Sequence, residues 1–330
     1  MTWKNTKVLV TGAGGFIGSH LTEELARRGA RVRALVRYNS RGHWGFLEQL
    51  PKELSTRVEI RPGDITDPSC VSELVAGQDV VFHLAALIAI PYSYHAPSSY
   101  VATNVGGTLN VLEACRRHRT ARLVHTSTSE VYGTARYAPI DEEHPLQGQS
   151  PYSATKIAAD QLALSFYRSF GLPVAVCRPF NTFGPRQSAR AVIPTIAAQL
   201  LAGVPALNLG SLTPVRDFNY VEDTVSGFLA VAASKSCVGE VVNIGSGRGV
   251  TIAQTAALLL RLTGARTAIR RETARVRPKR SEVFKLVCAN AKARRLADWR
   301  PRWTLEEGLV RVVDYVRSHR DEYKADLYNL

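Results

Sequence analysis

The sequence predicts an α/β protein, a Rossmann-type doubly wound parallel sheet with a smaller C-terminal substrate-binding lobe. Two observations carry this. Short apolar segments alternate with helix-length stretches from Lys7 to Arg178, and the first of them runs straight into a glycine-rich turn. Strand–helix–strand units of this length close as parallel pairs joined by right-handed crossovers. After Arg178 the alternation gives way to short pieces with Pro and Gly and then to a basic stretch, where a second lobe is assembled.

In chain order, Lys7–Thr11 is an apolar strand, followed by Gly12-Ala-Gly-Gly-Phe-Ile-Gly18 and a helical pattern through Arg28 that Gly29 closes. Arg31–Val36 is the next strand. A strand at Val58–Ile60, a helix near Ser69–Ala76 and a strand at Asp79–Leu84 follow. A helix near Ala102–Arg117 leads to strand Arg122–Ser127, and helix Tyr152–Phe170 with strand Val174–Arg178 ends the series. No repeat or low-complexity linker interrupts the chain. Residues 1–179, with about 217–244, are expected to form the nucleotide-binding Rossmann domain, and 180–216 with 245–330 the substrate lobe packed closely on it.

The 330 residues are 45% hydrophobic and 21% charged, an ordinary globular composition. The longest apolar run, Val80–Ile90, is broken by His83 and is too short to cross a bilayer, so no membrane partner is expected. The chain enters a strand at once, without a signal-peptide pattern. Its five cysteines (Cys70, Cys115, Cys177, Cys237 and Cys288) have neither metal-ligand nor CxxC spacing. A cytoplasmic protein with reduced thiols and no metal site is the expectation. The net charge of +14 is concentrated: between Arg261 and Arg302 fourteen Lys/Arg face three acids, Glu272, Glu282 and Asp298. That stretch has no nucleic-acid motif and little aromatic interleaving. It reads as a solvated basic surface of which a few residues grip a substrate diphosphate, with no nucleic-acid partner.

Three motifs carry chemistry. In Gly12-x-x-Gly15-x-x-Gly18 the glycines allow a tight turn and a close backbone approach to a pyrophosphate, the N-terminus of the following helix supplies partial positive charge, and Phe16 and Ile17 within the motif are expected to join the cofactor contacts. An acid about twenty residues on would hold an adenosine ribose. Here the second strand ends in Val36-Arg37-Tyr38-Asn39-Ser40-Arg41, so Arg37 can stack on adenine or accept a 2′-phosphate, and NADP stands beside NAD. Asp64, before Ile65, is placed to accept from the adenine amino group or to cap a turn. In Tyr152-Ser-Ala-Thr-Lys156 the i, i+4 spacing puts the ammonium near the phenol. A cation there is expected to lower the tyrosine pKa and make Tyr152 a base for a sugar hydroxyl, while Lys156 also holds the nicotinamide ribose. Ser127-Thr-Ser-Glu-Val-Tyr-Gly133 lies at the C-terminal end of a strand, the edge where open α/β sheets do their chemistry. There Thr128 can polarise the reacting oxygen. Glu130 is superfluous for simple hydride exchange.

These motifs, with His83-Leu-Ala-Ala86, Asn104 in Thr-Asn-Val-Gly-Gly-Thr, Arg178-Pro-Phe-Asn181, Gly184-Pro-Arg186, Arg216-Asp-Phe and Asn243-Ile-Gly-Ser, resemble the extended short-chain dehydrogenase/reductases, the nucleotide-sugar epimerase and dehydratase family, over nearly the whole chain. The likeness is closest to 4,6-dehydratases. The runs Leu87–Tyr94, Pro145–Tyr152 and Asn181–Pro194 are similar to dehydratases of legionaminic-acid-type pathways, which act on nucleotide-linked N-acetylglucosamine. The resemblance implies cofactor contacts from Leu84, Ala85, Ala86 and Asn104. It also implies a nucleotide diphosphate held by Asn181, Arg186, the Val192–Pro194 backbone, Arg216 and Arg277, and a homodimer formed through two helices of each subunit. Ser129 departs from the Asp-Glu pair of many 4,6-dehydratases. Ser-Glu is similar to GDP-mannose dehydratases and also to nucleotide-glucuronate decarboxylases, so expulsion of water would fall to Glu130 or to a Ser129-linked water. The expected activity is dehydration of a nucleotide-hexose through transient oxidation at C4, with decarboxylation or 4-epimerisation as the alternatives within the family and a non-catalytic nucleic-acid-binding or cofactor-sensing member as the distant one.

Overall fold

Side chains along a strand alternate between faces, and in β1 (Lys7–Thr11) both faces are apolar. Val8 and Val10 pack with Leu21 and Leu25 on one side, and Leu9 packs with Val71 and Leu112 on the other. Such a strand is stable only at the centre of a sheet covered by helices on both faces. The computed structural model, which describes residues 2–276, 278, 280–325 and 327, places it there.

The other strands of the first half are β2 (Arg31–Arg37), β3 (Val58–Gly63), β4 (Val80–His83), β5 (Arg122–Thr126) and β6 (Val174–Pro179). The second half supplies β7 (Asn181–Phe183), β8 (Ala206–Leu209), β9 (Val215–Tyr220), β10 (Val241–Ile244), β11 (Gly249–Thr251), β12 (Ala268–Arg271) and β13 (Lys285–Leu286). The main sheet is parallel throughout, in the order β10-β6-β5-β4-β1-β2-β3. Reversal of strand order between β1 and β4 opens a crevice at their C-terminal ends, the usual ligand position in such sheets.

Helices Phe16–Arg27 and Val221–Ala233 cover one face, and Pro68–Val75, Gly107–Arg117 and Pro151–Phe170 the other. The expected helix near Ala102–Arg117 is part of a longer helical run. It begins at Pro97–Tyr100 and passes through a π-helical stretch at Val101–Gly106 before becoming regular at Gly107. Asn104 sits in that widened stretch, and such bulges commonly mark functional sites. A short helix at Ile90–His95, absent from the sequence reading, precedes it.

A second sheet, β11-β9-β13 with β7 paired to β9, and the two-stranded β8–β12 ladder form the lobe. The helix Val221–Ala233 and β10 return to the main sheet, whereas all of β9 lies in the lobe. One apolar cluster runs from Val8, Val10 and Phe228 under the sheet to Ile193, Ile196, Leu309 and Val312 in the lobe, so the two parts share a core. Asp217 ties the lobe together. Fully buried, its carboxylate accepts from the N–H groups of Ser246 (2.9 Å), Gly247 (2.8 Å) and Cys288 (3.0 Å) and from the Ser246 hydroxyl (2.5 Å). Asp217→Ala leaves these donors unsatisfied and should lower unfolding free energy by about 3 kcal/mol in urea melts, since each unpaired buried donor costs roughly 1–3 kcal/mol.

Candidate active site

The glycine turn has the geometry its sequence demands. Gly12 has φ +70°, and a Cβ there would lie 2.8 Å from the Ala85 nitrogen. A Cβ on Gly18 would lie 2.2 Å from the Gly12 carbonyl oxygen, which explains the close approach of helix and loop. Gly15 precedes the helix Phe16–Arg27, whose first turn carries no acid and no side-chain cap. Its unpaired N–H groups suit an anion. Phe16 and Ile17 open that helix half-buried, and Leu84, Ala85 and Ala86 line the other side of the crevice. The N–H groups of Leu84 and Ala85 donate to the Thr11 hydroxyl, both at 3.1 Å, which fastens the loop after β4 to the end of β1.

Around this cradle the predicted residues divide. Arg37 is exposed at the end of β2, opposite Gly63. One oxygen of Asp64 closes a turn by accepting from the N–H and hydroxyl of Thr66, both at 2.9 Å. Ile65 is buried beneath Gly107. Asn104 spends its side chain on the protein: it accepts from Leu87 N–H (2.8 Å) and donates to the Leu87 carbonyl (3.0 Å) and the Thr155 hydroxyl (3.1 Å). It therefore buckles the loop after β4 to the helix Pro151–Phe170.

Thr128, Ser129, Glu130, Tyr152 and Lys156 converge at the ends of β5 and that helix. Thr128 caps the 3₁₀ turn Ser129–Tyr132, its hydroxyl accepting from the Glu130 N–H at 3.2 Å. Tyr152 hydrogen-bonds Thr128 and feels the Glu130 carboxylate. Its ring meets Tyr100 edge-on, 6.3 Å between centroids, in an apolar wall with Ile90. One expectation is corrected here. Burial pushes the Tyr152 phenol well up, against the Thr128 hydrogen bond and with help from Glu130, so Lys156 does not hold it below its ordinary value in the protein alone. Lys156, itself buried, donates to the Thr126 carbonyl at 2.5 Å. Burial pulls its ammonium down to about 8, with Asp160 opposing.

In the lobe, Asn181 opens β7 with a buried side-chain oxygen that finds no partner among the described residues, as a ligand-facing group would. Val192 begins the helix Val192–Leu201, whose N-terminus has no side-chain cap. Arg216 is buried in β9 with Glu282 3.4 Å away. Arg186 is placed elsewhere than the resemblance implies. Its guanidinium pairs with Glu23 at 2.8 Å and approaches the Ser19 hydroxyl, so it joins lobe to first helix instead of facing the crevice. Arg277 lies outside the described residues.

Sequence reasoning missed Asp160 and His125, both fully buried under this site. A signal was present: Asp160 follows Lys156 by four, on the helix face that carries Tyr152, where an unpaired acid would not be tolerated.

With this geometry the chain matches the GDP-mannose 4,6 dehydratase family over residues 9–312. It belongs to that family, within the extended short-chain dehydrogenase/reductases. A dTDP-glucose 4,6-dehydratase of Streptomyces antibioticus is 35% identical over 317 residues, 95% of this chain and 93% of that protein. Among solved structures, the dTDP-glucose 4,6-dehydratase DesIV from Streptomyces venezuelae, crystallised with NAD, aligns at TM-score 0.88 and 30% identity, covering 97% of this chain and 99% of its own. The UDP-glucuronic acid 4-epimerase of Bacillus cereus, in complex with UDP-glucuronic acid and NAD, aligns at TM-score 0.87 and 29% identity over 95% of this chain and 100% of its own.

For a member of this family the glycine cradle makes a sharp prediction. Gly18→Ala forces the Gly12 carbonyl aside and should weaken dinucleotide binding by about tenfold or more, near 1.4 kcal/mol, in a fluorescence titration, with the fold retained by circular dichroism.

Proposed function

We propose that the chain is a nucleotide-sugar 4,6-dehydratase that carries bound NAD and converts a nucleotide-diphospho-hexose to its 4-keto-6-deoxy form. The observation that carries the reading is a buried carboxylate, Glu130, in the turn that Thr128 caps at the end of β5, beside the helix that carries Tyr152 and Lys156. The dehydratase relatives support it. N-acetylglucosamine as the sugar rests on the runs Leu87–Tyr94, Pro145–Tyr152 and Asn181–Pro194. NAD fits the uncapped helix start behind Gly15 and is the dinucleotide bound in the solved relatives. The end of β2, with Arg37 and no acid, also leaves room for the 2′-phosphate of NADP.

In this reading Thr128 and Tyr152 hold the C4 hydroxyl, and Tyr152 takes its proton with Lys156 supporting the phenolate from below. A bound nicotinamide supplies the acceptor for the two electrons taken from C4 and returned at C6. The ketone at C4 acidifies C5, and Glu130 takes that proton. The C6 hydroxyl then leaves as water with a proton from Glu130 or a water held by Ser129. C5 is reprotonated afterwards, so the sequence loses one water and consumes no second redox substrate. Arg216 and Asn181 would hold the diphosphate end.

The second reading is 4-epimerisation, favoured by the close match to the Bacillus cereus epimerase. It needs Tyr152 but no base at C5. Product mass separates them when UDP-, GDP-, CDP- and dTDP-sugars are tested: loss of water for dehydration, unchanged mass for epimerisation, loss of carbon dioxide for decarboxylation. Tyr152→Phe should lower turnover by about 10²–10⁴-fold, the usual worth of a general base. Glu130→Gln should still oxidise C4 and stall, so that reduced cofactor builds up in the near ultraviolet, and in D₂O the wild-type product should carry deuterium at C5. Full turnover by Glu130→Gln with no deuterium at C5 would end the dehydratase reading.

We also propose a cytoplasmic homodimer built through Gly107–Arg117 and Pro151–Phe170, whose outer surfaces leave Leu109, Tyr167 and Phe170 exposed. Sedimentation at micromolar concentration should give twice the chain mass, and a monomer there would refute it.

A further inference from the structure

Beneath Tyr152 and Lys156 the fold buries a charge cluster that no reaction step uses. Asp160, 0% exposed, lies two helical turns beyond Tyr152 on the helix Pro151–Phe170. One oxygen accepts from the Ser127 hydroxyl (2.6 Å) and from Arg178 Nε (3.1 Å) and Nη2 (2.9 Å). The other oxygen faces His125 Nε2 at 3.2 Å. Arg178 Nη1 donates to the Tyr132 hydroxyl (3.0 Å), which donates on to Asn243 (2.8 Å). Ser127 and Tyr132 flank Thr128, Ser129 and Glu130. One carboxylate therefore reaches both ends of the catalytic turn and the helix that carries the Tyr/Lys pair.

We propose that Asp160 is the positioning residue of this site: it is the buried counter-charge that keeps the Lys156 ammonium beneath Tyr152, and with Arg178 it is the strut that fixes the turn from Ser127 to Tyr132. The proposal rests on the reading of Tyr152 and Lys156 as the catalytic pair. It deepens that reading by explaining how an ammonium remains charged in a dry interior, where an unpaired cation sheds its proton.

The groups facing the pair are known from every element packed against it. From β4 comes His83, held by the Thr11 (2.8 Å) and Thr108 (3.0 Å) hydroxyls, and burial with His125 and Lys156 nearby keeps it neutral. From β5 comes His125, pushed down by burial and Lys156 against the pull of Asp160. From β6 comes Arg178, from the turn Glu130 and Tyr132, and from the preceding helical run Tyr100. Glu142 acts on Tyr132. Burial raises Asp160, but Arg178, His125 and Lys156 overcome it and hold the carboxyl at about 2, so it is charged throughout the working range.

The signs follow. Removing a negative charge favours the deprotonated forms of its neighbours, so Asp160→Asn lowers the pKa of Lys156 and of Tyr152. Removing the positive charge of Arg178 raises both. A role limited to stability would damage the two variants alike and move neither pKa in opposite senses.

The test is a nuclear magnetic resonance titration of the whole chain labelled with ¹³C at the lysine ε-carbon, with Lys156 assigned by the signal lost in Lys156→Arg. Asp160→Asn should move the Lys156 midpoint down by about one unit and Arg178→Gln should move it up, as expected for nearby buried charges. Asp160→Glu should restore the wild-type midpoint. The alkaline limb of kcat/KM should follow each shift. An unmoved midpoint in Asp160→Asn, or shifts of the same sign in both variants, overturns the proposal. Where a single variant does not fold, the double variant Asp160→Asn/Arg178→Gln, which leaves neither of these two residues facing the other's uncompensated charge, takes its place. It should fold and lose about tenfold or more in kcat/KM because the strut is gone. Wild-type turnover by the double variant overturns the positioning role. The midpoints need no turnover, so an active Tyr152→Phe would sink the catalytic assignment and leave them standing.

Discussion

Taking a carboxylate out of water is strongly unfavourable unless its charge and lone pairs are met by well-placed partners. Asp160 has Ser127 and Arg178 on one oxygen, His125 beside the other and Lys156 one helical turn away. Its partners come from β5 and the residue after it, from β6 and from its own helix, so the condition ties those elements together. The end of β5, β6 and the helix Pro151–Phe170 must all be in register for the charge to be compensated. The reactive turn hangs from that arrangement. Thr128 and Glu130 lie between Ser127 and Tyr132, both of which the cluster holds.

The parallel sheet supplies the other half of the geometry. All seven strands end on one edge, so the glycine turn after β1, the Leu84–Ala86 loop after β4 and the reactive turn after β5 share one crevice. Small contacts complete it. The Thr11 hydroxyl takes the N–H groups of Leu84 and Ala85, and Asn104 takes both backbone groups of Leu87. Without them two consecutive loops would carry unpaired backbone in a half-buried position. The lobe shares its core with the sheet, and Asp217 fixes its strands.

The sheet and the placing of the Ser127–Gly133 segment at the end of a strand were legible in the sequence because both rest on local patterns. Apolar strands, glycine spacing and a Tyr/Lys pair one helical turn apart depend on neighbours in the chain. What was not legible depends on partners far away in sequence. Arg186 looks like any basic residue in a substrate loop until Glu23, 163 residues earlier, claims it. Asn104 reads as a cofactor contact, and its bonds to Leu87 and Thr155 show only in the fold. The sense of the Tyr152 shift was misread for the same reason. Spacing reveals the nearby ammonium, whereas burial, the larger influence, belongs to the assembled fold. The basic stretch from Arg261 to Arg302 is partly discharged in the structure. Arg261, Arg275 and Lys292 pair with Glu306, Glu272 and Glu240, and Arg216 brings a deeper pair with Glu282.

In the proposed dehydration and in 4-epimerisation alike the opening step is oxidation at C4, and the two differ in what happens to the ketone. In that reading Tyr152, Thr128 and a dinucleotide would suffice for the step and would not separate one activity from the other. A second base does, because the proton at C5 becomes acidic only after the ketone forms and must then be removed on the same side of the crevice. A residue that does this has to sit within reach of the sugar and still leave the phenol free to work. Glu130 is on the turn that Thr128 caps, on the buried side and near enough for its charge to register on Tyr152. That proximity raises the phenol further and makes its deprotonated form harder to reach. An enzyme that only exchanged hydride would be better served by an apolar residue at this position. Retaining a carboxylate there makes chemical sense where the same site must also eliminate water.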